Sequence, residues 1–276
     1  MLNNINKTVK LKNGIKMPML GLGTWLASNG QEVENAIRIA LDVGYRSIDT
    51  AAIYGNEKSV GKAIRESDIP REQIFVTSKL WNSEQGFNST LKAFNNSIRK
   101  LNINYLDLYL IHWPVRNKYK ESWKALEKLY SEKKVRAIGV SNFHIHHLND
   151  LLKEADIIPT VNQVEFHPYL TQTELKQYCS KYSIQFEAWS PLMQGNFMSV
   201  PTIHNLSEKY GKTPAQIILR WDIQHNVVTI PKTIHEDRIK ENVNIYDFEL
   251  TVEDMKKIDS LNKDHRFGPD PDSFNF

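Results

Sequence analysis

The 276-residue sequence contains a single cysteine, Cys179, and no long apolar run. One cysteine cannot form an intramolecular disulfide, which is typical of proteins that fold in a reducing cytosol. No apolar stretch is long enough to span a bilayer. Residues 1–11 are rich in Asn and Lys and have no apolar core segment, so they do not resemble a signal peptide. We therefore expect a cytoplasmic protein without a membrane partner.

Charge of one sign is also scarce. The formal net charge is only +3 at pH 7, and Lys and Arg form neither a stripe nor a tail. Proteins that bind nucleic acid usually concentrate positive charge on one surface, so we expect no nucleic-acid partner. Ser/Gly-rich linkers, charge blocks and low-complexity tracts are absent as well, which predicts a single domain over residues 1–276.

What the sequence does contain is a regular alternation of two patterns. Short apolar stretches rich in β-branched and aromatic residues alternate with stretches of helical spacing, such as residues 33–41, 87–101 and 123–130. The predicted strands are residues 19–23, 45–49, 74–78, 106–111, 135–140, 160–164, 184–188 and 227–230. Eight strand–helix units within about 250 residues favour an α/β fold of the closed (β/α)8 TIM barrel type over an open doubly wound sheet.

Two further elements lie outside the eight units. Residues 8–19 contain a Lys-Asn-Gly sequence between two extended stretches, which predicts an N-terminal β-hairpin ahead of the barrel. Thr251 stands at the position of a helix N-cap, so residues 251–261 are predicted to form an extra C-terminal helix. Residues 264–276 are polar with prolines and aromatics, and we expect them to form an ordered or semi-ordered arm.

Polar side chains collect where the predicted strands end. Parallel strands in a barrel are buried on both faces, so polar residues should be scarce in them. A polar or aromatic group nevertheless follows or ends seven of the strands: Asp49, Lys79, His112, Ser141 with Asn142, Gln163, Trp189 and Lys232. Barrel active sites are built at this end, from the loops after the strands. These residues are therefore candidates for one shared site.

Asp49, Lys79 and His112 form, together with Tyr54, a complete chemical set for carbonyl reduction. A phenol is a weak acid at neutral pH, because its unperturbed pKa is about 10. A lysine ammonium beside it stabilises the phenolate, and a carboxylate keeps that lysine charged and oriented. A histidine can hydrogen-bond the substrate oxygen. Taken singly, each residue has an ordinary alternative role as a helix cap, a loop lysine, a core histidine or a loop tyrosine.

Two other functions remain open for the same residues. A lysine at a strand end could form a Schiff base with a carbonyl substrate, as in an aldolase barrel. That alternative leaves Tyr54 without a role. The barrel could also bind a cofactor without catalysing a reaction, because one fold hosts several functions. The complete set of four polar residues argues against this second alternative.

Nucleotide binding through a Rossmann or Walker motif is excluded. The Gly-rich stretch at residues 21–25 follows a strand but lacks the third glycine and the downstream acid of the Rossmann fingerprint. Near the last strand, however, Lys232 precedes a predicted helix that carries Arg238. A helix N-terminus and two cations can bind phosphate, and barrels often do so after their last strands. The alternative is a pair of ordinary surface cations.

The best metal candidate in the sequence is the cluster of His144, His146 and His147. It lies just after Ser141 and Asn142, at the start of a predicted helix. No set of carboxylates and histidines with ligand spacing recurs at the other strand ends. A solvated helix face is therefore the favoured interpretation, and we expect no metal.

The motifs resemble those of the aldo-keto reductases over nearly the whole chain. The first signature is GYRSIDTAAIYGNE at residues 44–57, and the last is IPKT at residues 230–233, followed by Arg238, Glu241 and Asn242. Between them, in the order and spacing of the family, stand KLW at 79–81, LIHWP at 110–114, GVSNF at 139–143 and NQVE at 162–165. The resemblance implies a TIM barrel that binds NADPH across its carboxyl-terminal mouth.

The resemblance also implies a role for each matching residue. Tyr54 would be the general acid, Lys79 and Asp49 would tune it, and His112 would orient the carbonyl. Trp189 would stack on the nicotinamide, where many relatives use another aromatic residue. The other implied cofactor contacts are Thr24, Trp25, Asp49, Ser141, Asn142 and Gln163 around the nicotinamide, Ser190 and Leu192 after Trp189, Lys232, Thr233 and Arg238 at the 2′-phosphate, and Glu241 and Asn242 near the adenine. The implied substrate pocket consists of Trp25, Tyr54, Trp81, His112 and Trp113.

Within the family the chain is similar to the bacterial glyoxal/methylglyoxal and 2,5-diketogluconate reductases. The segment after Trp189 and the C-terminal arm are both shorter than in the larger animal enzymes. The resemblance therefore implies reduction of small aldehydes, dicarbonyls or keto sugars to alcohols, by hydride transfer from NADPH. Relatives of this size are often monomers, so we expect a monomer.

Overall fold

The protein is described by a computed structural model that covers residues 7–274 and 276. The first six residues, part of the N-terminal segment in which no signal peptide was expected, lie outside the described residues. The chain opens with two short antiparallel strands, β1 (Thr8–Lys10) and β2 (Lys16–Pro18). Gly14, with a φ of 88°, lies in the turn between them, and its N–H donates to the carbonyl of Leu11. The predicted N-terminal hairpin is confirmed.

Eight parallel strands follow, and each one pairs with the next along the chain. They are β3 (Leu22–Gly23), β4 (Ser47–Asp49), β5 (Phe75–Leu80), β6 (Leu106–Ile111), β7 (Val135–Ser141), β8 (Val161–Glu165), β9 (Gln185–Trp189) and β10 (Val228–Thr229). The last strand returns to the first, because the N–H of Gly21 donates to Thr229 O at 3.0 Å. The N–H of Gly23 likewise donates to Pro231 O at 3.1 Å. The sheet therefore closes into the predicted barrel.

The closure explains why β3 is shorter than the predicted strand at residues 19–23. Met19 and Leu20 are joined to Thr229 by single backbone contacts rather than by a continuous ladder. Gly23 lies where the first and last strands approach most closely. A Cβ atom added there would be 2.9 Å from the carbonyl oxygen of Ile230, so only glycine fits this approach.

Helices cover the outside of the barrel. They are α1 (Gln31–Asp42), α2 (Glu57–Arg65), α3 (Phe87–Leu101), α4 (Tyr119–Ser131), α5 (Ile145–Leu152), α6 (Thr173–Lys181), α7 (Pro201–Tyr210), α8 (Pro214–Gln224), α9 (Glu236–Asn242) and α10 (Val252–Asp259). The predicted apolar stripes face inward, as with Val33, Ala36 and Ile37 of α1, all of which are buried. Burying a side chain of valine or isoleucine size contributes about 1.5–3 kcal/mol. None of the helices in the described residues is long and apolar enough to cross a membrane.

Two helices, α7 and α8, separate β9 from β10, although the sequence suggested no division there. Helix-capping residues between the two helices produce the division. α7 ends at Gly211, which has a φ of 60°, and α8 begins with Thr213 as N-cap and Pro214 as its first residue. The predicted C-terminal helix corresponds to α10, whose N-cap Thr251 accepts a hydrogen bond from the backbone N–H of Asp254.

Candidate active site

Lys79 is the centre of a hydrogen-bond network at the carboxyl end of the barrel. Its Nζ is 2.5 Å from Asp49 Oδ1, 3.0 Å from the carbonyl oxygen of Thr50 and 3.5 Å from the Tyr54 hydroxyl. The strand register explains the contact, because Asp49 at the end of β4 pairs with Thr77 of β5. Lys79 lies two residues beyond Thr77 and therefore points to the same face of the sheet. Three of the residues chosen from the sequence are thus in direct contact.

Burial and charge act in opposite directions on these groups. Burial raises the pKa of the Tyr54 phenol, and the Lys79 ammonium lowers it by less, so the pKa stays above its ordinary value. For Lys79, burial lowers the pKa, but the Asp49 carboxylate and the Tyr54 oxygen together raise it by more. At neutral pH, Lys79 is therefore charged and Tyr54 keeps its proton.

His112 lies beside this network, directly after β6. Its ring meets the Tyr54 ring edge-on, with centroids 5.8 Å apart, and the Trp81 ring edge-on at 5.2 Å. Burial, followed by the charge of Lys79, holds the pKa of His112 well below its ordinary value. Its Nδ1 is buried and has no hydrogen-bond partner among the described residues. The imidazole is therefore neutral at physiological pH.

A second network joins the ends of β7, β8 and β9. Asn142 Nδ2 donates to the carbonyl oxygen of His112 at 2.9 Å, and the indole N–H of Trp189 donates to Asn142 Oδ1 at 2.9 Å. The Ser141 hydroxyl donates to the carbonyl oxygen of Gln163 at 2.8 Å. Because an indole N–H can only donate, Trp189 determines which way the Asn142 amide faces. The three residues expected to contact the carboxamide therefore lie together, with the Asn142 oxygen already bonded.

Glu187 joins the site, although it was not predicted from the sequence. Gln163 Nε2 donates to both Asp49 Oδ2 and Glu187 Oε2, each at 2.9 Å. Burial, followed by the charge of Asp49, raises the pKa of Glu187 to about 8. The signal was an acidic residue inside the apolar strand β9, two positions before Trp189 and therefore on the same face. Glu187 connects the carboxylate of the first network to the second.

A cleft of about 1170 Å³ opens at this end of the barrel. The expected site residues that line it are Trp25, Asp49, Tyr54, Trp81, His112, Trp113, Ser141, Asn142, Gln163, Trp189, Ser190, Leu192, Lys232, Thr233, Arg238, Glu241 and Asn242. Thr24 and Lys79 are buried and do not line it. Thr24 instead donates from its hydroxyl to the carbonyl oxygen of Asp49 at 2.9 Å. Lining residues that were not expected include Phe197, Met198 and Thr213.

Two cations also face the cleft, one in the loop after β10 and one on α9. Lys232 and Arg238 are both exposed, and among the described residues neither has an ion-pair partner within 4.0 Å or a side-chain hydrogen bond. Glu241 and Asn242 lie three and four residues after Arg238, on the same face of α9. The Glu241 carboxylate accepts a hydrogen bond from the Thr213 hydroxyl. This part of the cleft can therefore receive an anionic group.

The described residues of the C-terminal arm, 264–274 and 276, include three that line the cleft: Gly268, Pro269 and Phe276. Phe276 stacks on Trp81 with centroids 5.8 Å apart, and it meets Trp113 edge-on at 5.2 Å. The arm also passes close to Trp189, because a Cβ atom added at Gly268 would be 2.4 Å from the indole ring. No contact between the arm and these tryptophans was expected from the sequence. Aromatic rings therefore surround the cleft next to Tyr54 and His112.

Comparisons with known proteins agree with this arrangement. The sequence model of the Aldo/keto reductase family matches residues 19–263. The chain is 58% identical over 273 residues to glyoxal reductase of Bacillus subtilis (strain 168), which covers 99% of both chains. It is 46% identical over 270 residues to methylglyoxal reductase DkgA of Escherichia coli (strain K12), which covers 96% of this chain and 97% of that protein. A crystal structure of a Gox0644 mutant in complex with NADPH matches with a TM-score of 0.93 at 40% identity, covering 98% and 99% of the two chains.

Proposed function

The chain belongs to the aldo/keto reductase family, and from this premise we propose that it reduces small aldehydes and dicarbonyls to alcohols with NADPH. The observation that carries the proposal is the contact of the Lys79 ammonium with both Asp49 and the Tyr54 hydroxyl, next to a large cleft. A lysine held in this way stabilises negative charge on the phenol oxygen when the proton leaves. Tyr54 is therefore the proposed proton donor.

The residues of the cleft fit a dinucleotide with an additional phosphate. Lys232 and Arg238 have no ion-pair partner within 4.0 Å among the described residues, which suits a phosphate at the 2′ position. Trp189 offers a half-buried aromatic surface, and Ser141, Asn142 and Gln163 offer polar groups beside it. When bound, the nicotinamide would supply a hydride to the carbonyl carbon. Thr233, Glu241 and Asn242 complete the proposed cofactor site.

His112 is proposed to orient the carbonyl oxygen. Its ring is neutral, and its Nδ1 is buried without a partner, so the ring proton is better placed on Nε2. An Nε2–H group can donate to a carbonyl oxygen, whereas a bare nitrogen there could not. Tyr54 and His112 would then hold the same oxygen from two sides, and charge that develops on it during hydride transfer would be stabilised.

The Schiff-base alternative has less support. A lysine that attacks a carbonyl must be unprotonated, and such lysines usually have a lowered pKa. The pKa of Lys79 is raised, and its ammonium already contacts Asp49, Thr50 and Tyr54. The proposal therefore assigns Lys79 an electrostatic role rather than a nucleophilic one.

The proposed substrates are small 1,2-dicarbonyls and short aldehydes. Glyoxal reductase and methylglyoxal reductase DkgA are relatives by 58% and 46% identity, which supports this choice. The aromatic lining of the cleft that contains Tyr54 includes Trp25, Trp81, Trp113 and Phe276. Such a lining suits a compact substrate that carries few polar groups besides the carbonyl under attack. Keto sugars are a second candidate. They fit this lining less well, because their additional hydroxyls would need hydrogen-bond partners other than these rings.

The test is a steady-state assay of the purified protein with NADPH and a panel of carbonyls. Methylglyoxal, glyoxal, a short aldehyde and a keto sugar are compared by following the loss of NADPH absorbance, and NADH serves as the matched cofactor control. We expect turnover with the dicarbonyls and a preference for NADPH. Absence of turnover with every carbonyl would contradict the proposal. Trapping of Lys79 by borohydride with a carbonyl substrate would support the Schiff-base alternative instead.

A further inference from the structure

Three histidines at the start of α5 converge on one carboxylate of the C-terminal arm. His144 is the N-cap of α5, and His146 and His147 lie in its first turn. Asp272 Oδ2 is 3.1 Å from His144 Nδ1, and its Oδ1 is 2.9 Å from His146 Nε2 and 3.4 Å from His147 Nε2. We call these three imidazoles, with Asp272 between them, the histidine clasp. The sequence placed the three histidines together, but it did not reveal their partner.

The other ring nitrogens of the clasp show where the protons lie. Arg266 contacts His144 Nε2 at 3.1 Å, and a guanidinium can only donate. His144 Nε2 is therefore an acceptor, and the proton sits on Nδ1, facing Asp272. The backbone N–H of His144 donates to His147 Nδ1 at 3.2 Å, which places the proton of that ring on Nε2. Burial, followed by the charge of His146, lowers the pKa of His147 to about 4, so its ring is neutral.

This pattern fits a carboxylate better than a metal ion. A histidine that binds a metal through one nitrogen normally donates the N–H of its other nitrogen to an acceptor. In His144 and His147 the other nitrogen instead faces a donor, Arg266 in one case and a backbone N–H in the other. Both rings would have to lose these bonds and move their protons to bind a cation. As arranged, the rings present N–H groups to Asp272.

Asp272 lies between two parts of the arm that touch the proposed active site. Before it, Gly268 and Pro269 line the cleft, and the Glu165 carboxylate accepts hydrogen bonds from the backbone N–H groups of Phe267 and Gly268. After it, Phe274 packs on Trp113 with ring centroids 5.1 Å apart, and Phe276 stacks on Trp81 with ring centroids 5.8 Å apart. The histidine clasp is thus the polar attachment of the arm to the barrel between these two contacts.

We propose that Asp272 is a positioning residue for the carbonyl pocket, because the histidine clasp holds the arm so that Phe276 closes the pocket against Trp81 and Trp113, with Phe274 packed on Trp113. The proposal rests on the proposed reductase function. Without the clasp, the segment after Gly268 would keep its aromatic contacts and the bond from Asn82 to the carbonyl oxygen of Phe276. The pocket wall would then be less ordered, and each bound substrate would have to order it again. The cofactor site on α9 is separate and would not change.

The primary test compares Asp272→Asn with Asp264→Asn. In the first variant, the amide turns an N–H group toward imidazoles that also present N–H groups. The second variant removes an exposed carboxylate of the same arm that, among the described residues, accepts a hydrogen bond from the Asn262 amide and contacts neither Arg266 nor the histidines. For Asp272→Asn we expect KM for methylglyoxal to rise by about threefold to tenfold, with kcat and the NADPH Kd within about twofold of wild type. Asp264→Asn should match the wild type in all three constants.

A second variant and a non-catalytic readout make the outcome decisive. His146 is the most exposed ring of the clasp, so His146→Ala should fold normally and raise KM in the same direction, non-additively with Asp272→Asn. Acrylamide quenching of tryptophan fluorescence needs no turnover, and it should increase in Asp272→Asn as Trp81 and Trp113 become accessible. Lack of wild-type turnover would contradict the proposed function, while the quenching result would still test the arm.

Two results would overturn the proposal. One is a normal KM together with unchanged quenching in Asp272→Asn. The other is a rise in the melting temperature of the wild type on addition of Zn²⁺ alone that His146→Ala abolishes. That second result would make the cluster a metal site.

Discussion

Tyr54 acquires its proposed role from its neighbours rather than from its own chemistry. Burial raises the pKa of the phenol above its ordinary value of about 10, so Tyr54 keeps its proton at neutral pH. Lys79 then opposes that effect from 3.5 Å. The residue types needed for this arrangement were visible in the sequence, since Asp49, Lys79 and His112 end or follow successive strands. Glu187 was not visible in the same way, because its role depends on a contact with Gln163, from the neighbouring strand.

Glu187 leads to a prediction about the pH dependence of stability. Its pKa in the folded protein is about 8, whereas a carboxyl in an unfolded chain titrates near 4.5. Between these values the folded protein holds a proton that the unfolded chain has lost. The free energy of unfolding should therefore fall as pH rises through this window, by at most about 1.4 kcal/mol per pH unit from this group. Above about pH 8 no further loss comes from Glu187.

The variant Glu187→Gln tests this assignment. An amide cannot titrate, so the contribution of Glu187 to the pH slope should disappear. We expect the variant to gain stability relative to the wild type on going from pH 5 to pH 8, as measured by urea unfolding at both values. Glu253→Gln, an exposed site on α10, is the matched control and should follow the wild type. Identical slopes for Glu187→Gln and the wild type would contradict the raised pKa.

At the scale of elements, the strands were predictable where they are long and fully buried. β6 has the predicted bounds, residues 106–111, and each of its residues is buried. The predicted strand at residues 19–23 was too long, because its first residues make only single contacts across the barrel closure. The division of the segment between β9 and β10 into α7 and α8 was missed. The residues that mark this division are the C-cap Gly211 and the N-cap Thr213. Both are single local features, and no apolar stripe accompanies them.

The element that carries the proposed specificity for NADPH is α9. Arg238→Ala removes a cation that has no ion-pair partner within 4.0 Å among the described residues. A hydrogen bond between an arginine and a phosphate contributes about 1.5–3 kcal/mol, which corresponds to a loss of affinity of about 10-fold to 100-fold. We expect the NADPH Kd to rise by that factor and the NADH Kd to stay nearly constant. Both constants can be measured by quenching of tryptophan fluorescence.

The control for this prediction is an arginine of similar setting. Arg99→Ala removes an exposed arginine of α3 whose guanidinium, among the described residues, donates a hydrogen bond only to Asn96. It should leave both cofactor affinities unchanged. An equal loss of NADPH and NADH affinity in Arg238→Ala would show that Arg238 does not recognise the 2′-phosphate.

At the scale of the whole molecule, closure of the barrel brings the site together. Asp49 and Gln163 are 114 positions apart, yet they share a hydrogen bond because their strands end at the same rim. Alternation of strands and helices was enough to predict this rim, since the carboxyl ends of parallel strands meet at one side. Contacts of the arm could not be predicted. The contact of Phe276 with Trp81 joins residues far apart in the sequence, and no local sequence pattern predicts it. The monomeric state and the cytoplasmic location expected from the sequence stay predictions.

Tyr54 is the proposed proton donor in an NADPH-dependent carbonyl reduction, and Tyr54→Phe tests this role most directly. The change removes one oxygen and leaves the ring between Lys79 and His112. Tyr105→Phe is the matched control and should behave as wild type. Tyr105 directly precedes the first residue of β6, at the amino-terminal end of that strand and away from the cleft. The measurement is kcat with methylglyoxal together with the NADPH Kd. We predict that Tyr54→Phe lowers kcat by about 10²-fold to 10⁴-fold with an unchanged Kd. A kcat close to that of the wild type would contradict the account.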